Sequence, residues 1–500
     1  MQVGALSVRA AVRVGLIALS TAMMGTLAGC AVGPSFEAPD AALPEHWEAS
    51  VAADASLASR VDVSAPVDAQ WWTRFGDPLL VRLIEEARRD NLDLRVAALR
   101  VAQVRTQRDA IAGVRSPAIA ARAGYQRQRV SEFGSSTRLI DAIGIPGSRD
   151  AIIDVLSEPH DVFQAGFDAS WELDFWGRLR RTVESADASL AASAEEFLAA
   201  ELALSAEVAR TYFQLRGVQE QVRAARSDVE ASEDALELTQ LLAEKGALSQ
   251  LEVSSLRAQL ADSRSRLAQL DPVQTQLLNA LAFLVAKEPA ALEAQLQEAR
   301  AVPAPPTTVG LGVPSELARR RPDIRGAEAR LHAATADVGV AVADLYPRIT
   351  LTGGFMQEAL SAGDLAEWGA RQWQLGPSLY LPLFDGGRRR AAVELRKLQQ
   401  QEAAIHYQRT VLQAWHEIDN ALSAYAAEQR RAKELEEAVA AARDAHEIAT
   451  LRYEHGMTNF LVALDAQRTL LRAQLAYAES SAAVSTRLVA LYKALGGGWE

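Results

Sequence analysis

The sequence predicts a mainly α-helical chain that also contributes strands to a membrane β-barrel, in a protomer built from two copies of one long-helix unit. Three observations carry that expectation. No proline occurs between Gly177 and Pro272 or after Arg388, and both stretches are rich in Ala, Leu, Glu and Arg with apolar residues at helical spacing. Four further segments alternate apolar and polar side chains over about ten residues each. The whole arrangement occurs twice along the 500 residues.

The helices set the scale. Gly177 to about Glu244 is roughly 67 residues, which at 1.5 Å rise gives a rod of about 100 Å. No compact globular domain has room for it. Arg388 to Glu454 repeats the arrangement, and each rod is followed by a shorter helix, the first from Ser249 to Phe283. That helix of roughly 35 residues and a helix of roughly 24 from Asn91 to Val114 reach about 90 Å end to end, close to one uninterrupted rod.

At the N-terminus, Arg9 and Arg13 precede a short apolar run from Val14 to Thr26, the pattern of a secretory signal and too short to span a bilayer. It ends in Leu27-Ala28-Gly29-Cys30, which resembles a bacterial lipobox, with Cys30 acylated and the first residue of the mature chain. Ala31 follows rather than Asp, which by resemblance to lipoprotein sorting favours the outer membrane. Cys30 is the only cysteine, so a disulfide framework and a cysteine zinc site are excluded. The formal charge of −12, with Lys and Arg interleaved among Glu and Asp, does not read as a phosphate-binding surface, so no nucleic-acid partner is expected. No apolar run is long enough for a spanning helix, leaving either a soluble mature chain or one that crosses a membrane as strands.

The strand signal lies in four places. Ile119, Ala121, Ala123 and Tyr125 alternate with polar or small residues, as do Phe163, Ala165, Phe167, Ala169 and Trp171. The same holds for Ile349, Leu351, Gly353 and Phe355, and for Trp373, Leu375, Pro377, Leu379 and Leu381. One apolar and one polar face per strand, with aromatics near the ends, is the pattern of an outer-membrane barrel. Four strands cannot close one, since about eight is the smallest working number. The barrel is therefore expected to be shared between chains.

The duplication is explicit. Asp93, Arg95, Ala97, Arg100, Pro117, Ile119 and Gly124 recur 230 residues later as Asp323, Arg325, Ala327, Arg330, Pro347, Ile349 and Gly354. Beyond the first strand pair the offset is 210, placing Arg178, Glu237, Glu244, Gly246 and Leu251 on Arg388, Glu447, Glu454, Gly456 and Leu461. The difference of 20 assigns the longer of two surface loops to residues 131–160. The expected domains are a signal at 1–29, an N-terminal anchor and equatorial segment at 30–90, repeat 1 at 91–285, an equatorial linker at 286–315, repeat 2 at 316–493 and a tail at 494–500. Residues 30–78, 288–314 and 496–498, richer in Pro and Gly, are expected around the middle of the helical column. Pro117 and Pro347 sit where helix must give way to strand, and Trp176-Gly177 and Asp385-Gly386-Gly387 where strand returns to helix. The pair Trp71-Trp72 reads as a packing anchor rather than a ligand platform.

Several stretches resemble the outer-membrane efflux factors of the TolC family, in particular its OprM-like lipoprotein branch. They are Cys30-Ala31-Val32-Gly33-Pro34, Trp71 to Pro78, Arg320-Arg321-Pro322-Asp323-Ile324-Arg325, Pro382 to Arg388, and Leu491 to Trp499. The resemblance covers essentially the whole mature chain. It implies a homotrimer with a twelve-strand barrel continued by a twelve-helix periplasmic α-barrel, lipid-anchored in the outer membrane. It also implies docking to a periplasmic membrane-fusion adaptor and an inner-membrane transporter of the RND type. Asp465, in Leu461 to Gln467, matches the segment where family members place an acidic ring at the periplasmic constriction, and Tyr453 matches a position that locks neighbouring helices. Val462 stands where the family can carry a second acid, and Glu252 occupies the equivalent site of repeat 1, so it is the candidate substitute.

No enzyme and no cofactor is expected. His416-Glu417 and His446-Glu447 begin a zinc-protease motif, but Asn420 and Thr450 stand where the second histidine belongs. Gly310-Leu311-Gly312 lacks the third glycine of a dinucleotide loop. Two rival readings remain. A periplasmic adaptor lipoprotein has one helical hairpin and no duplicated strand pairs, and a coiled-coil scaffold lipoprotein has a heptad seam without the strands.

Overall fold

The computed structural model describes residues 31–39, 59–63, 65–134, 149–297, 300–313 and 320–498. Among them the order is β1 (Arg60–Asp62), α1 (Pro78–Asp90), α2 (Leu92–Gly113), β2 (Ala118–Gln128), α3 (Arg149–Ser157), β3 (His160–Leu173), α4 (Arg178–Glu244) and α5 (Gln250–Leu284). There follow α6 (Glu293–Leu296), β4 (Thr308–Gly310), α7 (Pro322–Ala343), β5 (Arg348–Ala359), β6 (Arg371–Tyr380), α8 (Arg388–Glu454) and α9 (Phe460–Ala494). The duplication is visible in the lengths: α4 and α8 have 67 residues each, α5 and α9 have 35 each, and α2 and α7 have 22 each.

The chain forms two compact units. The first takes in Met1–Glu37, Arg105–Ser189 and Leu331–Glu402, and holds the four longer strands. They form one antiparallel sheet in the order β2-β3-β5-β6, so the two hairpins of the duplicated chain are joined through β3 and β5. At the strand-to-helix bends, Gly177, Gly386 and Gly387 have φ of 78°, 66° and 87°, values that L residues rarely adopt. The arginines that open α4 are neutralised locally: Arg178 makes two bonds to Glu172 at 2.8 and 2.7 Å, and Arg180 pairs with Asp174 at 3.2 Å. Positive charge at a helix N-terminus opposes the helix dipole, which is why these carboxylates are needed.

The second unit takes in Ala38–Val104, Leu190–Arg330 and Ala403–Glu500. Its core gathers Trp71, Trp72, Phe75 and the apolar face of α1 against Tyr212, Phe213 and Leu215 of α4, Ile418 and Tyr425 of α8, and Leu488 and Tyr492 of α9. Tyr212 and Phe213 are at the middle of α4, so Trp71, Trp72 and Phe75 pack at the midpoint of that helix. Trp71 and Trp72 are both buried, as an anchor requires. Here β1 and β4 add a short parallel pairing, Arg60 opposite Thr308. The expectation for the start of the mature chain needs correcting: residues 31–37 belong to the first unit, where Ala31 abuts Gly177 and Gly33 abuts Gly339. Bare backbone at Gly177 and Gly339 offers the close approach that draws them there. The helix read from Asn91 also has a partner before it, α1, capped by Asp77, whose Oδ1 accepts from Leu79 N at 2.8 Å. Asn91 joins the two helices; its Oδ1 accepts from Leu94 N and its Nδ2 donates to Leu284 O, both at 2.9 Å.

Candidate functional site

The sheet is the first functional element. Its register lines up the apolar positions of all four strands: Ala121, Phe167, Phe355 and Trp373 form one row, and Ile119, Ala169, Gly353 and Leu375 another. Leu173, Ile349 and Leu379 continue the same face. Trp373, Leu375, Leu379 and Ile119 are each about 70% exposed, a surface that water would penalise and hydrocarbon would accept. The opposite face carries rows of Asp168, Gly354 and Gln374, of Ser170, Thr352 and Gly376, and of Glu172, Thr350 and Ser378. There Arg122 pairs with Asp168 at 2.8 Å, and Gln164 donates to Glu358 at 2.7 Å. Tyr125 and Phe163 lie together near one end, while Trp171 and Tyr380 lie near the other. One face is built for lipid and the other for water.

Both outer edges, those of β2 and β6, pair with nothing among the described residues. In a bilayer each unpaired backbone group costs several kcal/mol, on the order of the full desolvation of an amide. An open sheet of this amphipathy must find further strands.

The second element is the pair of helix turns. Gly246 and Gly456 have φ of 74° and 69° and close the C-termini of α4 and α8. Ala247 N donates to Leu242 O at 2.9 Å and Met457 N to Arg452 O at 2.8 Å, the bonding of a Schellman end. The returning helices are then capped differently. In repeat 1 Ser249 and Glu252 form a capping box: Leu251 N donates to Ser249 Oγ at 3.2 Å and Ser249 N donates to Glu252 Oε2 at 3.1 Å. In repeat 2 Asn459 Oδ1 accepts from Val462 N at 3.3 Å, and Val462 has nothing to return.

These contacts place the candidate gate residues. Glu252 is held in its capping box, and the Ser249 hydroxyl, with backbone donors, draws its carboxyl below the usual glutamate range. Tyr453, at the end of α8, packs edge-on against Phe460 with ring centroids 5.3 Å apart. Its hydroxyl is pushed above the ordinary tyrosine range, first by partial burial and then by the negative charge of Glu252. Asp465 is exposed and makes no hydrogen bond or ion pair among the described residues. Cys30 lies outside the described residues.

Two buried polar clusters have no counterpart in the sequence reading. Asp228 of α4 accepts from Ser263 Oγ at 2.5 Å and from Gln467 Nε2 at 2.9 Å, and Gln259 accepts from Arg468 Nε at 2.5 Å, tying α4, α5 and α9 together. Arg321 binds Asp323 at 3.0 and 2.7 Å, Glu417 at 2.7 Å and the Ala494 carbonyl at 2.8 Å. Arg321 thus satisfies a carbonyl orphaned at the end of α9. Among the described residues no three His, Cys, Asp or Glu side chains form a metal-holding group.

The comparisons agree with this geometry. A family model described as outer membrane efflux protein matches residues 83–287 and 313–497. The pyoverdine export outer membrane protein OpmQ of Pseudomonas aeruginosa is 33% identical over 480 residues, covering 95% of either chain. The outer membrane protein OprJ of the same organism is 31% identical over 95% of this chain and 94% of its own. Among solved structures, the outer-membrane channel OprN superposes with a TM-score of 0.83 at 34% identity, over 94% of this chain and 100% of that one. The Campylobacter jejuni CmeC outer membrane channel reaches 0.84 at 23% identity, over 94% of this chain and 96% of that one, a likeness of fold.

Proposed function

The chain belongs to the outer membrane efflux protein family, and from that premise we propose that it is the outer-membrane duct of a tripartite efflux pump, a homotrimer whose passage small molecules leave through. The observation that carries this reading is the register of the four-stranded sheet, one continuous apolar face with both edges open. Three copies bring twelve strands. The helices that adjoin β2 and β6 in the chain support the same assembly. On α2, which leads into β2, Leu92, Val96 and Leu99 are exposed at positions i, i+4 and i+7. On α8, which follows β6, Leu395, Leu398, Ile405 and Leu412 are exposed at steps of three and seven. Such stripes are seams awaiting a helix of another copy.

The duct acts without chemistry of its own. The polar sheet face lines the water-filled passage, and the long helices continue it through the periplasm toward a membrane-fusion adaptor and an RND-type transporter. Cys30 carries the acyl anchor, which holds the protein in the outer membrane together with the barrel. Tyr453 and Glu252 fasten the helix turns, and Asp465 supplies negative charge at the constriction. The test is conductance: purified protein in a planar bilayer should form long-lived pores, and protein that binds the bilayer without conducting would favour an adaptor or scaffold instead.

A further inference from the structure

Where α7 ends and α8 begins, the first unit has a cleft of about 360 Å³, within the range of small-molecule sites. Arg348, Arg388, Arg389 and Arg396 line it, against Asp337 and Asp344. Three of these arginines have a carboxylate beside them: Arg348 reaches Asp344 at 3.2 Å, Arg396 reaches Asp337 at 3.5 Å, and Arg389 reaches Asp385 at 3.4 Å. A guanidinium has five N–H donors, so each keeps donors to spare. Arg389 Nε is buried and makes no hydrogen bond, and the Arg388 side chain is exposed with no hydrogen bond or ion pair among the described residues.

The duplication supplies an internal control. Under the 210 offset Arg388 matches Arg178, whose Nε and Nη2 are both taken by Glu172, at 2.8 and 2.7 Å. Glu172 and Asp174 fall on Pro382 and Phe384, so repeat 2 has the arginines without those carboxylates. A cation at the first residue of a helix opposes the helix dipole, which sets Arg388 against the electrostatics of its own fold. The register says where the cleft opens. Arg348 follows the alternation of β5 onto the face of Thr350 and Thr352, which also carries Ser378 and Tyr380 of β6, and Arg389 lies over the Tyr380 ring, 5.9 Å from its centroid. That is the water face of the sheet.

We propose that this cleft is an anion-binding site in the wall of the passage, taking the carboxylate or phosphate groups of small polyanionic solutes, with Arg388 and Arg396 as its principal donors. It rests on the reading of the chain as a duct, which makes the polar sheet face a passage wall. Planar guanidinium forks meet carboxylate and phosphate oxygens two at a time, and such charge-assisted bonds are roughly twice as strong as neutral ones. A site open to water holds a solute weakly, so it raises the local concentration of anions without trapping them.

The test titrates the full-length protein, purified in detergent, with citrate and separately with pyrophosphate in a calorimeter at low salt, against sodium chloride of matched ionic strength as the control for screening. At least one should bind, the tighter of the two naming the class of anion, and Arg388→Gln with Arg396→Gln should weaken that binding about tenfold or more. Arg390→Gln, on α8 but outside the cleft, should leave it unchanged. Asp337→Asn removes a competing carboxylate and should tighten it, a gain that misfolding cannot mimic. No binding by the unsubstituted protein, or an equal loss with Arg390→Gln, would overturn the site. In a planar bilayer the same anions should block the pore current, with the same dependence on the variants. Protein that binds through Arg388 and Arg396 but forms no pore would refute the duct and leave the cleft supported, whereas pores without variant-sensitive binding would do the reverse.

Discussion

Trp71 and Tyr492, 421 positions apart, stack with ring centroids 5.3 Å apart and planes 13° from parallel. Trp71 Nε1 also donates to Gly497 O at 3.2 Å, so one side chain joins the start of the chain to the last helix and the tail beyond it. Tyr212, in the same core, donates to Asp77 Oδ2, and burial pushes its hydroxyl up to about 12. Trp71→Ala should therefore destabilise the second unit by about 3–5 kcal/mol, the range for removing a fully buried large aromatic. Trp71→Phe should recover much of this, since it keeps a ring to stack on Tyr492 and loses only the hydrogen bond and part of the volume. Thermal unfolding of the detergent-solubilised protein, followed by the loss of helical circular dichroism, compares the two.

The sheet makes a face-specific prediction. Leu375→Arg places a charge on the apolar rows and should cost about 2–4 kcal/mol near mid-bilayer. Gln374→Arg, one residue away on the water face, should be tolerated. Yield of heat-modifiable, membrane-extracted protein distinguishes them, and a lower yield for Gln374→Arg than for Leu375→Arg would mean that the faces have been assigned the wrong way round.

Where α4 crosses α9 the backbones meet at Gly217, where a Cβ would lie 2.5 Å from Ala482 Cβ and 3.5 Å from Ala478 O. Gly217→Val should force the helices apart and cost about 1–3 kcal/mol, as overpacking usually does. Ala482→Gly should relieve part of that loss in the double variant, and its failure to do so would place the strain elsewhere.

At the turns, charge and cap can be separated. Glu252→Gln keeps an acceptor for Ser249 N but removes the charge, whereas Ser249→Ala removes the cap and leaves the charge. If Glu252 and Asp465 attract cations at the constriction, Glu252→Ala with Asp465→Ala should weaken cation selectivity at low salt, Glu252→Gln should weaken it in part, and Ser249→Ala should not. Tyr453→Phe should raise conductance by loosening the turn. The pH dependence follows from the lowered carboxyl of Glu252: the cap's contribution is complete above the ordinary glutamate range and is lost as pH falls through the depressed folded value. Reversal potentials in planar bilayers, taken at neutral pH and again in acid, read both effects.

Periodic features were legible in the sequence because periodicity is local. Long proline-free runs announced the helices, the bends at Gly177 and Gly387 and the turns at Gly246 and Gly456 bounded α4 and α8, and alternation located β2, β3, β5 and β6. Contacts without a period were not. The three-residue pairing of β1 with β4, the Arg321 cluster and the Asp228 network each depend on segments distant in sequence meeting, and nothing in one strand of three residues announces its partner. Glu252 is a different case: Ser249-x-x-Glu252 is itself a capping-box spacing, so its structural role was readable beside its position as the repeat-1 match of Val462. The close approach of Gly33 to Gly339 was hidden because a glycine pair separated by 306 residues carries no signal until the chain is folded.

Native mass spectrometry of the protein extracted in detergent, with the detergent mass subtracted, tests the shared barrel most directly. Three chains per particle is the expected result, because four strands with two open edges are satisfied when three copies close twelve. A stable monomer whose four strands remain in the membrane would contradict it.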